Sequence, residues 1–196
     1  MAITTLNNLA INRSDTAAAD QLWTATSATA TDFQAAAAGG NLLQLKTAYK
    51  QDVFTVAGNS GTWSDVTDMT VDITPTLSTS KILVMLSGEL SNATAGYGLM
   101  IKLLRDSTDI FVGTAVSSRL AASFGTVNSS NKEADSINLI YLDAPATTSA
   151  TTYKLQGMAE TGSTFCWGRS GNDPDINYQG RYPGTITVME IAVGVL

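Results

Sequence analysis

In "SGNDPDINYQGR" (170–181), Asp173, Asp175 and Asn177 stand at alternate positions, the spacing by which oxygen ligands line a calcium loop. Counted from Asp173, the sixth position is Tyr178 where an EF-hand loop needs Gly, and the twelfth is Gly184 where it needs Glu. The EF-hand reading fails on both. A looser calcium site at Asp173 and Asp175 stays open beside a solvated turn with Asx hydrogen bonds. Asp106 and Asp109 flank Ser107-Thr108, and paired carboxylates can do acid–base work on glycosides. Within a tight hairpin the same residues are ordinary turn chemistry.

Phe165, Trp167, Tyr178 and Tyr182 are interleaved with Arg169 and Arg181. Such a set can stack on a sugar or a protein neighbour, or pack internally. Trp167, Arg169, Tyr178, Arg181 and Tyr182 form the candidate recognition loop. Cys166, the single cysteine, reads as a small buried hydrophobe within an apolar strand. Gly96-Tyr97-Gly98 lacks the third glycine and the strand-to-helix context of a dinucleotide site.

The chain has no histidine. That removes Ser-His-Asp and Cys-His nucleophilic systems, the usual zinc and non-haem iron ligand sets, and imidazole pH switching. One cysteine allows neither an intrachain disulfide nor a cysteine metal cluster. No cofactor is expected and no catalytic residue is assigned. A carboxylate-only glycan depolymerase is the one enzymatic reading these exclusions leave.

What must position these groups is a chain of 196 residues, 44% hydrophobic and only 14% charged. Its polar quota is Ser, Thr, Asn and Gly, a composition for strands and short turns rather than disorder. A net charge of −6, with 11 basic residues scattered singly, argues against nucleic acid and anionic membrane. "MAITTLNNLAINRSD" has no basic or apolar signal region, and "ILVML" is too short to span a bilayer.

Residues 1–40 are Ala/Thr-rich and carry too little bulk for a core, so they read as an arm. Leu22, Trp23 and Phe33 are its docking side chains. Thr31 or Asp32 is placed to cap a short helix over "FQAAAA", ended by Gly39-Gly40. From Asn41 onward the pattern is strands: 42–49, 52–57, 69–74, 81–90, 96–106, 108–113, 136–145, 151–159, 163–168 and 185–193. Pro75 and a Ser/Thr tract separate the third from the fourth. Gly58–Gly61 is a turn. Ten strands without an amphipathic helix predict an all-β sandwich or jelly roll. The last strand is apolar on both faces near Val188–Val193, as fits either a core strand of a monomer or one covered by a neighbouring subunit.

Four segments in order carry a resemblance: "TWSDVTDMTVDITPTLSTSKILVMLSG" (62–88), "LLRDSTDIFVG" (103–113), "INLIYLDAPATTSATTYKLQG" (137–157) and "GTITVMEI" (184–191). This order resembles virion structural proteins of tailed bacteriophages of marine bacteria and cyanobacteria. Their C-terminal domains are jelly rolls similar to the tumour-necrosis-factor and C1q fold. The segment "INRSDTAAADQLWTATSATATDFQ" (11–34) is similar to leader segments of the same group. The resemblance implies an attachment arm over 1–40 and a jelly-roll domain over 41–196. It implies a homotrimer that contacts other virion proteins of capsid or tail, made in the host cytoplasm and resident in the phage particle. A capsid decoration or head fibre is the leading role; a tail-associated fibre or adaptor that binds host surface glycan is the alternative.

Overall fold

Within Ser64–Ile73, Val66, Met69, Val71 and Ile73 are buried while Asp65, Thr67, Thr70 and Asp72 face water. The alternation slips by one residue at Asp68, which takes a left-handed φ of 64°. Its pairing partner shifts register there: between the pairs Thr70–Lys154 and Asp65–Gln156, four residues of this strand stand against one of the other. Strands that alternate this cleanly bury one face and wet the other.

The structure, a computed structural model, describes residues 21–25, 31–35 and 42–192. The chain divides into two units, residues 1–40 and 41–196. In the first, β1 (Gln21–Ala25) pairs antiparallel with β2 (Thr31–Ala35), setting Trp23 opposite Phe33. This corrects the expected helix: Thr31 and Asp32 begin a strand instead of capping one. A helix of under two turns has too few hydrogen bonds to offset its nucleation, whereas strand pairing satisfies the same backbone groups at once. The remainder of that expected helix, residues 36–40, lies outside the described residues. Leu22, Trp23 and Phe33 all fall on this hairpin.

The second unit contains β3 (Leu42–Lys50), β4 (Phe54–Ala57), β5 (Ser64–Ile73), β6 (Lys81–Asn92), β7 (Gly98–Arg105) and β8 (Thr108–Ile110). It continues through β9 (Phe124–Val127), β10 (Asp135–Asp143), β11 (Thr151–Ala159), β12 (Thr164–Trp167) and β13 (Gly184–Ile191). Among the described residues there is no helix. One sheet runs β3-β13-β6-β10, the other β5-β11-β7-β8, all antiparallel. Apart from the β7–β8 hairpin, successive strands among these eight step from one sheet to the other, which gives the eight-strand jelly-roll sandwich. The twelve-residue β6 exceeds the reach of β13, and beyond Ser87 it pairs instead with β12, which carries β4 on its far side. β9, a strand the sequence pattern did not announce, extends the second sheet along β7.

The core lies between the sheets, with Leu86, Ile186 and Val188 facing Ile101, Leu103 and Leu155. Burying each such side chain stabilises the fold by roughly 1.5–3 kcal/mol. Three polar ties close the sandwich. Asp143 on β10 accepts both its oxygens' bonds from Arg105 Nη1 at 2.8 Å, and another from the Tyr153 hydroxyl at 2.7 Å. Glu190, fully buried on β13, accepts the Thr76 N–H at 2.7 Å, the Thr76 hydroxyl at 2.8 Å and Gln44 Nε2 at 2.6 Å. This pins the Pro75 crossing. Lys50, also buried, reaches Asp52 at 2.8 Å and the bulge residue Asp68 at 3.4 Å.

Candidate functional site

The segment after β12 folds back over its own strand. Gly168 turns at φ +79°, Tyr182 N donates to Gly168 O at 2.8 Å, and Arg169 and Arg181 bridge the two arms. Arg181 grips Asp173 through Nε (3.2 Å) and Nη2 (2.7 Å), which holds the Asp173 carboxyl below its ordinary range. Arg169 Nη1 donates to the Ser170 and Gly171 carbonyls at 3.1 and 3.0 Å and approaches the same carboxylate at 4.0 Å. The carboxylate singled out for calcium is thus engaged by guanidinium. Among the described residues no cluster of three metal-ligating side chains occurs.

The structure divides the expected recognition loop. Tyr178 is 75% exposed, Tyr182 is 38% exposed and Arg181 is exposed; Arg169 is turned inward to backbone carbonyls. Trp167 is corrected outright: it is fully buried, its ring seated against Gly88 and Gly184. Phe165 and Cys166 are buried beside it, Phe165 edge-on to Phe54 at 6.3 Å. The 168–183 segment covers the side of β12 that sheet alternation would otherwise expose, with Ser91 Oγ donating to Arg169 O at 2.8 Å. Burial pushes the Cys166 thiol upward, so it is a poor nucleophile.

Asp106 and Asp109 do not form a pair. Asp106 occupies the turn at φ 54° and accepts the Thr152 N–H at 2.9 Å, while Asp109 binds Lys102 at 2.9 Å. Lys102 in turn lies 4.9 Å from the Trp63 ring centre.

The two outer faces of the sandwich differ in chemistry, a contrast that no single motif announced. On the β5-β11-β7 face, Asp65 binds Lys154 Nζ at 2.8 Å and Gln156 Nε2 at 2.6 Å, and Thr152 donates to Asp72 at 2.6 Å. Partial burial raises the Asp65 pKa, but these two donors outweigh it and hold the carboxyl below its usual range. A cleft of about 540 Å³ opens on this side over Met100, Met158 and Leu120, with Glu160 accepting the Gly98 N–H at 3.0 Å.

The opposite face, over β3-β13-β6-β10, carries rows read straight across the registers. Leu45, Met189, Leu83 and Leu142 form one row; Thr47, Thr187, Met85 and Ile140 form the next. Leu45, Met85, Ile140 and Leu142 are 38–62% exposed, and neither row holds a charge. The third row, Tyr49, Thr185, Ser87 and Asn138, turns polar, and Glu89 lies opposite Ser136 beyond it. Sequence alternation did signal these strands; only the register shows that their exposed apolar residues align.

No protein-family model and no curated protein sequence matches the chain. Among solved structures it is similar to infectious bursal disease virus, Gx strain, at 12% identity and a TM-score of 0.40, over 87% of this chain and 41% of that one. The subviral particle of VP2 from infectious bursal disease virus gives 11% identity and a TM-score of 0.35, over 86% and 46% of the two chains. The chain therefore spans less than half the length of either.

Proposed function

We propose that the chain is a non-enzymatic structural protein of a tailed-phage particle. It forms a homotrimer, is held to the particle by residues 1–40, and displays its jelly roll as a capsid decoration or head fibre. The observation that carries this reading is the pair of uncharged apolar rows on the outer face of the β3-β13-β6-β10 sheet, set against an opposite face laced with ion pairs. Aligned exposed Leu, Ile and Met across four strands are what a monomer avoids and a subunit interface uses. The threefold symmetry comes from the segment resemblance, and such a face covered by a neighbouring subunit fits a closed ring of that kind. The ordered segment resemblance supplies the particle.

The second reading, a tail-associated fibre or adaptor that binds host surface glycan, is favoured by Tyr178, whose ring stands in solvent on the 168–183 segment. Sedimentation equilibrium on the full chain tests the oligomer. Three-chain mass is expected for the wild type, falling to one chain in Ile140→Lys with the circular dichroism of a folded sheet retained. A monomeric wild type overturns the trimer. Gold-labelled antibody on intact phage particles separates head from tail, and an unlabelled particle overturns the virion assignment.

A further inference from the structure

The polar end of the same sheet face forms a groove of about 320 Å³, lined by Ser87, Glu89, Ser136, Asn138, Tyr182 and Pro183. Its floor is the backbone of the β6–β10 pairing at Gly88 and Ile137, positions that face the core rather than the groove. The groups around that floor make a set of defined chemistry. Glu89 contributes a carboxylate that takes one bond from Ser136 Oγ and keeps further acceptor sites. Asn138 is exposed, and its amide makes no hydrogen bond among the described residues, leaving two donors and an acceptor. Ser87 Oγ and Thr185 Oγ1 lie 2.9 Å apart as hydroxyls of either polarity. Tyr182 presents a half-exposed ring on one side, and Tyr49, 64% exposed, ends the row that Thr185, Ser87 and Asn138 share.

No Lys or Arg lines the groove. The nearest guanidinium along the chain, Arg181, is engaged by Asp173. An anionic ligand such as a phosphate, a nucleic acid or a sulfated glycan would therefore meet only Glu89. An apolar ligand would strand the amide and the carboxylate, which is costly. A neutral polyhydroxyl ligand fits every group: vicinal hydroxyls donate to Glu89 and exchange bonds with Asn138, while a C–H face lies on the tyrosine ring. We infer that this belt, centred on Glu89, Asn138 and Tyr182, is a binding site for neutral saccharide. The site is open and shallow, spanning strands about 4.8 Å apart, so it takes a stretch of polysaccharide chain rather than enclosing a single sugar. The inference does not depend on where the protein sits on a particle, and it names a site apart from the exposed Tyr178.

The competing occupant is the rim of a subunit interface, since polar rims surround apolar interface centres. Saturation-transfer NMR on the full chain distinguishes the two, using neutral tetrasaccharides of glucose, mannose and galactose with a sulfated galactan tetrasaccharide as counter-probe. At least one neutral tetrasaccharide is expected to bind and the sulfated one to fail. Asn138→Ala and Tyr182→Ala should each weaken binding on the order of ten-fold, with sedimentation mass unchanged. Tyr182→Phe should stay within about two-fold, because the ring face is kept. Failure of all three neutral probes overturns the site. So does binding that survives both alanine variants, or variants that change the oligomer mass and leave binding intact; the last result assigns the groove to the interface.

Discussion

Trp167 lies against Gly88 so closely that a β-carbon on that glycine would come within 2.3 Å of the indole, and one on Gly184 within 2.5 Å of its Nε1. Two strands, β6 and β13, give up a side chain so that one ring from β12 can fill both places. The packing is therefore a three-strand arrangement in which neither glycine can change alone.

Gly88→Ala and Gly184→Ala should each destabilise the fold by about 1–3 kcal/mol through overpacking, read as a lower urea midpoint. Gly98→Ala is the matched control. Its β-carbon would meet nothing nearer than Glu160 Oε2 at 3.8 Å, and the change should stay under about 1 kcal/mol.

Glu190 should make stability depend on acid. Burial raises its pKa, but the bonds from Gln44 and Thr76 outweigh that and bring it down to about 2 from an ordinary 4.5. A folded value below the unfolded one means the group favours folding above pH 4.5, and that contribution disappears as pH falls from 4.5 toward about 2. Glu190→Gln should cost on the order of 2 kcal/mol at neutral pH by weakening charge-assisted bonds to the 74–80 crossing. Urea midpoints of the two proteins, measured down the pH scale, should converge near the acid end. A gap that stays constant with pH would refute the assignment.

Asp143 is the shared acceptor of Arg105 and Tyr153, so its loss should exceed the loss of either donor. Asp143→Ala leaves a guanidinium and a buried phenol without their acceptor, at a cost of about 3–5 kcal/mol. Tyr153→Phe removes one neutral donor, at about 1 kcal/mol. In the double variant the Tyr153→Phe penalty should vanish, since the phenol has nothing left to bond; calorimetric unfolding of the four proteins closes the cycle.

Much of the sandwich was legible because period-two alternation is a local property. Met69, Val71 and Ile73 announced their strand unaided, and the two-residue turn at Asp106-Ser107 joined the strands it was expected to join. Three features escaped for physical reasons. Phe124–Val127 is four residues long with one large side chain, too short for alternation to register, and it becomes a strand only because β7 offers an edge. Thr31–Ala35 reads locally as a weak helix, yet pairing with Gln21–Ala25 settles it as a strand. Trp167 sits in "FCW", where the sequence cannot tell a strand wet on one side from one capped by a later loop. The cap, 168–183, is built by Arg169, Asp173 and Arg181 across up to twelve residues and covers the Cys166 side, while the Trp167 ring enters the core over Gly88 and Gly184, so the burial of both is a tertiary fact. The candidate groove shows the same limit: Glu89, Asn138 and Tyr182 come from three distant stretches and meet only through the β6–β10 register and the return of the cap.

Among the described strands β3 pairs with β13 alone, and β13 is the last of them in chain order. During synthesis, then, β3 emerges early and waits for more than a hundred residues to be made before its partner appears. Strands β5 through β12 can begin to assemble in that interval, but the apolar face cannot, because two of its four strands join last and together. The apolar face is thus completed only when β13 pairs, after the strands between β3 and β13 have had the chance to fold.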